Sequence, residues 1–176
     1  MKTIPQWHNT GKARPAFAQA PGPGQESVWD YPRPPVVAAD ERRVRVTFDG
    51  RQIAASSRAF RILETASPPT FYLPEDDIDM SLLALAPGTS WCEWKGDARY
   101  WRLRLEGAPS SPVAWDYPAP NAAFATIARH VSFYPGAVVC TVAGERVRPQ
   151  PGGFYGGWMT DEIVGPVKGE PGTAGW

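Results

Sequence analysis

The distribution of proline and glycine most constrains the fold of this chain. Twenty prolines and seventeen glycines occur among 176 residues. Proline breaks helices and glycine weakens them, so their frequency favours short strands joined by turns. Eight tryptophans, six tyrosines and seven phenylalanines are interleaved with the prolines, whereas disordered chains contain few aromatic residues. We therefore expect an ordered, loop-rich protein that is mainly β.

Alternation of apolar and polar residues predicts the strands. Residues 44–48 (VRVTF) have the period of two that is typical of a half-buried strand. Asp49-Gly50 is a strong signal for a two-residue hairpin, with residues 51–56 as the return strand. Residues 59–64 fit either another strand or a single turn. Further short strands are expected at residues 70–73, 90–94, 98–105, 113–115, 131–134 and 137–143.

Two short helices are expected. Four carboxylates, Glu75, Asp76, Asp77 and Asp79, precede an apolar stretch that ends at Pro87-Gly88, which predicts a helix near residues 79–85. The same carboxylates could instead hold a divalent cation, but they lack the spacing of a calcium loop, so a solvated helix start is favoured. A second helix is expected over residues 122–130, capped by Asn121. His130 would then lie at its C-terminus, where the helix dipole stabilises a cation.

The composition divides the chain into three parts. Residues 1–41 are rich in proline and glycine without a sustained apolar period, and we expect an irregular N-terminal arm there. Residues 42–148 contain the predicted strands and form the β domain. Residues 149–176 combine glycine, proline and aromatic rings, which predicts a tail that packs on its own domain or on a second copy of the chain in a homo-oligomer.

Charge and hydropathy exclude several classes of partner. Eighteen basic and eighteen acidic residues give a net charge of zero, which disfavours binding to nucleic acid through phosphate neutralisation. No apolar run approaches the ~20 residues that cross a bilayer, so no membrane association is expected. The first residues lack the apolar core of a signal peptide. We therefore expect a cytoplasmic protein.

The cysteines and histidines do not predict a metal site. The chain has two cysteines, Cys92 and Cys140, and two histidines, His8 and His130. A structural zinc site usually takes four ligands, commonly from paired Cys-x-x-Cys units, and no such unit is present. We expect neither a metal nor another cofactor.

The tetrapeptide Trp-Asp-Tyr-Pro occurs twice, at residues 29–32 and 115–118. A carboxylate between two rings is costly to bury without a partner, so Asp30 and Asp116 should each make a local turn, bind an arginine or face a ligand site. The flanking residues differ, which argues against a duplicated domain. The two copies either form the walls of one groove or pack as two separate corners.

The segment 91–100 (WCEWKGDARY) carries the strongest candidates for chemistry. A lysine close to Cys92 would raise its thiolate fraction. Strand alternation, however, places Cys92 and Trp94 on one face and Glu93 and Lys95 on the other. That arrangement favours an ordinary buried cysteine beside a surface ion pair.

A set of spaced motifs runs through the chain, at residues 26–35, 63–65, 72–74, 91–96, 98, 100, 114–118, 131–134, 153–158, 164–166, 168–169, 171–173 and 175–176. Together these motifs resemble a bacterial and fungal family described as domain of unknown function 427, or as nucleotidyltransferase-like. The resemblance covers residues 26–176, and its tail is similar to that of a long-form subgroup. It implies a compact antiparallel β domain of Mss4-like topology, with one or two short helices and long irregular arms. It implies no catalytic residue.

Aromatic and ionisable residues at predicted strand ends favour the binding of a small molecule or peptide in one groove. A rival interpretation is an enzyme that uses Cys92, Lys95 or the carboxylates near Asp76 for group transfer, or a nucleotidyltransferase-like activity. A third is a module that associates with a second copy through its tail. The predicted groove residues are Tyr72, Cys92, Trp94, Lys95, Tyr100, Trp115, Tyr117 and Tyr134.

Overall fold

The computed structural model describes Trp7, residues 9–173 and residues 175–176. Strands account for 42% of the protein and helices for 7%, which confirms the prediction of a mainly β fold. The strands are β1 (Glu26–Ser27), β2 (Val36–Asp40), β3 (Val44–Phe48), β4 (Arg51–Ser56), β5 (Ala59–Glu64), β6 (Ser67–Pro74), β7 (Leu83–Cys92), β8 (Gly96–Leu103), β9 (Ala114–Asp116), β10 (His130–Phe133), β11 (Val139–Val142), β12 (Glu145–Arg146), β13 (Arg148–Pro149), β14 (Trp158–Met159) and β15 (Ile163–Val164). The part of the predicted arm at residues 1–6 and 8 lies outside the described residues.

Two antiparallel sheets enclose the main core. The larger sheet has the order β2-β5-β6-β10-β9-β8-β7, and the smaller has the order β12-β11-β3-β4. Alternate residues of each strand point towards the other sheet, because successive side chains leave a strand on opposite faces. This arrangement is compatible with an Mss4-like topology. Buried residues of the main core include Val44, Val46, Phe71, Leu73, Val131, Phe133, Cys140 and Val142.

The Asp49-Gly50 hairpin is confirmed. β3 and β4 pair on either side of these two residues, whose φ angles are 45° and 74°. A type I′ turn needs positive φ at both central positions, which aspartate tolerates and glycine adopts freely. The segment 59–64, which the sequence leaves between strand and turn, is strand β5.

One strand lies inside the segment predicted as an irregular arm. β2 pairs along its whole length with β5 and forms an edge of the larger sheet. Its sequence, VVAAD, does not alternate, and Pro34 and Pro35 directly precede it. An edge strand tolerates prolines at its start, because one side of its backbone has no neighbouring strand to bond.

Short helices form at both predicted places, but they are 3₁₀ turns and shorter than predicted. Only 3₁₀ turns form before β7, at Glu75–Asp77 and Met80–Leu82, and Leu83 already begins the strand. Pro87-Gly88 lies within β7, where the pairing register shifts between Ala86 and Thr89. The bulge accommodates the proline that would have ended a helix.

The second predicted helix is a 3₁₀ segment, Ala122–Ile127, interrupted at Phe124 (φ −116°, ψ 15°). Phe124 and Ile127 are buried, so the burial of these two side chains, and not a regular helical backbone, stabilises this segment. His130 therefore begins β10 and does not lie at a helix end. The Nδ1 atom of His130 is 2.8 Å from the carbonyl oxygen of Ala128.

Described segments on either side of the two sheets, residues 26–31 and 158–168, pack on the rest of the protein. β1 pairs with β15 in parallel, and the indole Nε1 of Trp29 donates a hydrogen bond to the Pro166 carbonyl (2.9 Å). Trp158, far along the tail, is fully buried in the main core. The tail therefore contributes to the core of its own chain. In the described part of the protein, no helix is long and apolar enough to cross a bilayer.

Candidate functional site

A cavity of about 990 Å³ lies on the face of the larger sheet that points away from the main core. We call it the aromatic cavity. Its wall contains all eight residues that the sequence analysis selected, so strands distant in sequence bring them together. These residues are Tyr72, Cys92, Trp94, Lys95, Tyr100, Trp115, Tyr117 and Tyr134.

The floor of the aromatic cavity is a single row of side chains across four strands. Tyr72 of β6 lies opposite Ser132 of β10, Ser132 opposite Trp115 of β9, and Trp115 opposite Tyr100 of β8. Ser132 is small, so the larger rings on either side of it can meet. The indole Nε1 of Trp115 donates to the Tyr72 hydroxyl at 3.1 Å, and their rings meet edge to face at 6.2 Å. The register of the sheet thus assembles the floor.

The turn between β7 and β8 forms one rim. Cys92 ends β7, residues 93–95 turn, and Gly96 begins β8. The strand alternation predicted for Cys92 and Lys95 is therefore wrong, because the turn interrupts it. Cys92 and Lys95 stand at the two ends of this turn and both line the cavity. The chain reversal brings the two side chains together where a continuous strand would have separated them.

Asn121 fixes this rim turn in place. Its side-chain Nδ2 donates to the Trp94 carbonyl at 2.8 Å, and its backbone N–H donates to the Lys95 carbonyl at 3.0 Å. Asn121 was expected to cap a helix, but its side chain makes no cap bond. Gly96 permits the turn because its φ of 97° is a conformation that side chains disfavour.

Lys95 is buried in the cavity wall, with only 8% of the residue exposed. Its Nζ is 5.6 Å from the ring centre of Tyr117 and 5.9 Å from that of Phe124. Burial alone would lower the pKa of Lys95. Electrostatic interactions with its surroundings, Tyr72 and Glu64 among them, more than offset this, so the pKa of Lys95 lies above the usual value for a lysine. Lys95 is therefore an ammonium at neutral pH.

Three tyrosines of the cavity wall are neutral at physiological pH. Burial raises the pKa of Tyr72, of Tyr117 and of Tyr134 above the usual value for a phenol. The ring of Tyr134 packs against that of Trp115 at 4.4 Å. These side chains present hydroxyl groups and flat apolar surfaces to the same space.

The tail forms the opposite wall. Gly156 lies so close to Trp115 that a Cβ there would overlap the indole ring. Gln150 holds the tail in place: its Nε2 donates to the Lys168 carbonyl at 2.6 Å, and its Oε1 accepts from the Gly157 N–H at 3.1 Å. Phe154, 78% exposed, lies on the glycine-rich stretch at the cavity mouth.

Lys168 is a cavity residue that the sequence analysis missed. It is 8% exposed, and its Nζ lies 4.8 Å from the Trp7 ring centre and 5.4 Å from that of Tyr155. Burial lowers the pKa of Lys168, the charge of Arg33 adds to this, and Glu64 opposes it. Val167 and Gly169 flank it in sequence, and no periodicity there indicates a cavity.

Two acidic residues, Glu64 and Glu93, also line the aromatic cavity. Glu64 is paired with Arg33, whose Nε is 3.3 Å from Oε1 and whose side chain is almost completely buried. In the part of the chain that the structure describes, neither Lys95 nor Lys168 has a carboxylate within ion-pair distance. The cavity thus holds two buried cations without a direct counter-ion.

The two Trp-Asp-Tyr-Pro copies pack in different parts of the protein and do not form one groove. Trp29 and Tyr31 pack in a small cluster with Val28, Ala66 and Ile163 at the arm, whereas Trp115 and Tyr117 line the aromatic cavity. Each aspartate binds an arginine, which is one of the expected alternatives: Asp30 pairs with Arg14 at 2.6 Å and Asp116 with Arg99 at 2.8 Å.

The carboxylates at residues 75–79 are engaged by other groups. Glu75 and Asp76 pair with Arg129, Asp77 pairs with Arg58, and Asp79 accepts from Ser81. Throughout the described residues, no group of three or more histidine, cysteine, aspartate or glutamate side chains is arranged to hold a metal ion. His8 lies outside them. Cys140 is fully buried in the main core.

The family model for the domain of unknown function (DUF427) matches residues 36–144. The chain belongs to this family. The matched range begins at β2 and includes the cavity floor and the rim turn, whereas Trp7, Tyr155 and Lys168 lie outside it. Arm and tail therefore add walls to a cavity whose floor is part of the family domain. No curated protein matches the chain.

Proposed function

We propose that this DUF427 member binds a small molecule that combines a flat unsaturated part with an acidic group, in the aromatic cavity. The observation that carries the proposal is the pair of buried lysines, Lys95 and Lys168, in the wall of a cavity of about 990 Å³. A buried cation without a counter-ion is costly, and an anionic ligand group would offset that cost.

The size and lining of the cavity support a small ligand. Small-molecule sites usually enclose ~300–1,000 Å³ and combine apolar walls with a few placed polar groups. Here the rings of Trp115, Tyr117 and Tyr134 offer flat surfaces, and the lysines lie beside other aromatic rings. Aromatic faces both stack on flat ligands and favour cations near them. The same cavity could admit the side chains of a peptide. The test below therefore distinguishes a small-molecule ligand from a peptide ligand.

The test compares 2-naphthoate with its neutral counterpart 2-naphthamide by calorimetry and by thermal unfolding. We expect the acid to bind and to raise the unfolding temperature, by up to several degrees when its concentration is about 100 times Kd. The amide should bind at least about tenfold more weakly, because it cannot neutralise a lysine.

Two lysines allow a matched comparison. Lys168→Met should weaken 2-naphthoate binding about tenfold or more, whereas Lys12→Met changes an exposed lysine outside the cavity and should leave binding unaltered. Equal binding of acid and amide would contradict the charge argument. Binding of extended peptides without binding of any aromatic acid would replace the small-molecule proposal with the peptide alternative.

A further inference from the structure

Among the described residues, buried charges are paired everywhere except in the aromatic cavity. Five charged residues are buried in this part of the chain. Three of them, Arg33, Asp40 and Asp116, each form an ion pair with a residue of opposite charge, at 2.6–3.3 Å. The other two, Lys95 and Lys168, form none, and both line the cavity. Burial of charge without compensation is therefore concentrated at one site.

The two lysines occupy different places in the cavity wall. Lys95 belongs to the rim turn, and its Nζ lies 5.6 Å from the ring centre of Tyr117. Lys168 belongs to the opposite wall, and its Nζ lies 4.8 Å from the ring centre of Trp7 and 5.4 Å from that of Tyr155. The two ammonium groups share none of these rings. Each is therefore a separate place for an anionic group.

The acids of the cavity wall leave both places open. Glu64 is bound by the guanidinium of Arg33. Glu93 lies in the rim turn, is partly exposed to solvent and is not within ion-pair distance of Lys95 or Lys168. Water screens an exposed carboxylate, so Glu93 compensates a buried ammonium only weakly. Three buried cations thus face the single paired carboxylate of Glu64, which leaves two positive charges uncompensated.

The place at Lys168 includes a second unmatched donor. The indole Nε1 of Trp7 is buried and has no hydrogen-bond acceptor among the described residues. Buried donors without an acceptor are rare in folded proteins. This one belongs to a ring that packs on the Arg33 guanidinium, 4.2 Å from the ring centre, and lies beside the Lys168 ammonium. The wall formed by arm and tail is therefore rich in positive charge and donors.

An unbroken series of rings joins the two walls. Tyr117, beside Lys95, lies 6.4 Å from the ring of Tyr72, and Tyr72 lies 6.2 Å from the ring of Trp115. The far side of Trp115 is in contact with Gly156 of the tail. Aromatic rings offer flat apolar surfaces on which an unsaturated ligand can pack. A flat body lying on this floor would extend from one lysine wall towards the other.

We propose that the ligand of the aromatic cavity is an aromatic diacid, with one acidic group bound by Lys95 and the other by Lys168. The inference rests on the proposed function, because it divides the same cavity into two anion places joined by the aromatic floor. Two ligand anions would compensate the two unpaired ammonium groups. Since both anions belong to one molecule, the second contact adds affinity without a second loss of translational freedom.

The first test uses the wild-type protein and calorimetry. Three rigid diacids of increasing length, benzene-1,4-, naphthalene-2,6- and biphenyl-4,4′-dicarboxylate, are each compared with the monoamide in which a carboxamide replaces one carboxylate. We expect at least one diacid to bind about tenfold or more tighter than its monoamide, because a hydrogen bond to a charged group is worth at least that much. A smaller ratio for all three lengths would overturn the proposal.

The second test assigns the two acids to the two lysines. In Lys95→Met and in Lys168→Met only one anion place remains, so the ratio for the best diacid should fall to within about twofold. Lys12→Met changes an exposed lysine outside the cavity and should keep the wild-type ratio. A wild-type ratio in either cavity variant would contradict the assignment. The first test needs no variant, so the proposal remains testable if a substitution prevents folding.

A third comparison separates two acidic groups from one doubly charged group. 2-Naphthyl phosphate carries both charges at one end of the ring. If it binds more tightly than every diacid, the two lysines bind a single group and the proposal is wrong. Failure of this inference is distinct from failure of the proposed function. Binding of 2-naphthoate without any advantage for a diacid would reject only the two-acid ligand, whereas a cavity that binds none of these acids would reject both.

Discussion

Replacing Trp158 by alanine tests whether the tail is a structural part of the β domain. Trp158 lies outside the range that matches the family model, yet it is fully buried in the main core. Its ring stacks on Phe71 at 4.8 Å with 22° between the planes, and its Nε1 donates to the Phe133 carbonyl at 2.9 Å. The substitution removes both interactions and leaves a space the size of an indole.

The expected loss of unfolding free energy follows from these contacts. Truncating a buried tryptophan costs ~3–5 kcal/mol, through lost burial and the cavity that remains. The Phe133 carbonyl also loses its donor, which adds about 1 kcal/mol. A total near 5 kcal/mol is comparable with the whole stability of a typical domain. At ~2–4 °C for each kcal/mol, we expect the unfolding temperature to fall by roughly 10–20 °C.

Urea unfolding followed by circular dichroism would measure the loss. Trp158→Phe keeps a ring against Phe71 without the N–H donor, and should cost about half as much, which keeps the test informative if Trp158→Ala does not fold. Phe154→Ala is the matched control from the same tail, because Phe154 is largely exposed and should change stability by less than about 0.5 kcal/mol. A loss below about 1 kcal/mol for Trp158→Ala would refute the view that the tail belongs to the core.

Two further outcomes follow from the structure. Gly156→Ala should displace the Trp115 ring and weaken 2-naphthoate binding about tenfold by calorimetry, whereas Gly175→Ala, which meets open space, should bind normally. Acid should destabilise the protein: burial would raise the pKa of Asp40, but hydrogen bonds from Arg42 lower it below the usual value. That stability is fully present above the unfolded-state pKa of ~3.9 and is lost as pH falls below it. Asp40→Asn should reduce the loss between pH 5 and pH 2 in urea titrations; an unchanged slope would contradict the assignment.

Patterns of a few consecutive residues predicted those turns and strands that depend only on these residues. The Asp49-Gly50 turn depends on the backbone preferences of two residues, and β3 depends on alternation within five. The candidate cavity residues could be selected by type and by position near strand ends. That Tyr72, Trp115 and Tyr100 form one row depends on strand register, which no single segment contains.

Other features depend on distant partners, and sequence patterns missed or misread them. β2 has no alternation of its own and forms because β5 offers an unpaired edge. Lys168 lies in a glycine-rich tail and reaches the cavity through contacts with Gln150. The relation of Cys92 to Lys95 was misread because the rim turn begins one residue after Cys92, and a shift of that size changes which side chains meet.

The pairing of β1 with β15 also determines when the chain can finish folding. Its two strands, Glu26–Ser27 and Ile163–Val164, lie far apart in sequence. During synthesis β1 emerges first and has no partner until β15 has been made. Trp158 emerges equally late, so a nascent chain exposes the core surface that this ring will cover. Translation that stops early leaves that surface open, which gives chaperones and proteases a direct means to distinguish an unfinished copy from a finished one.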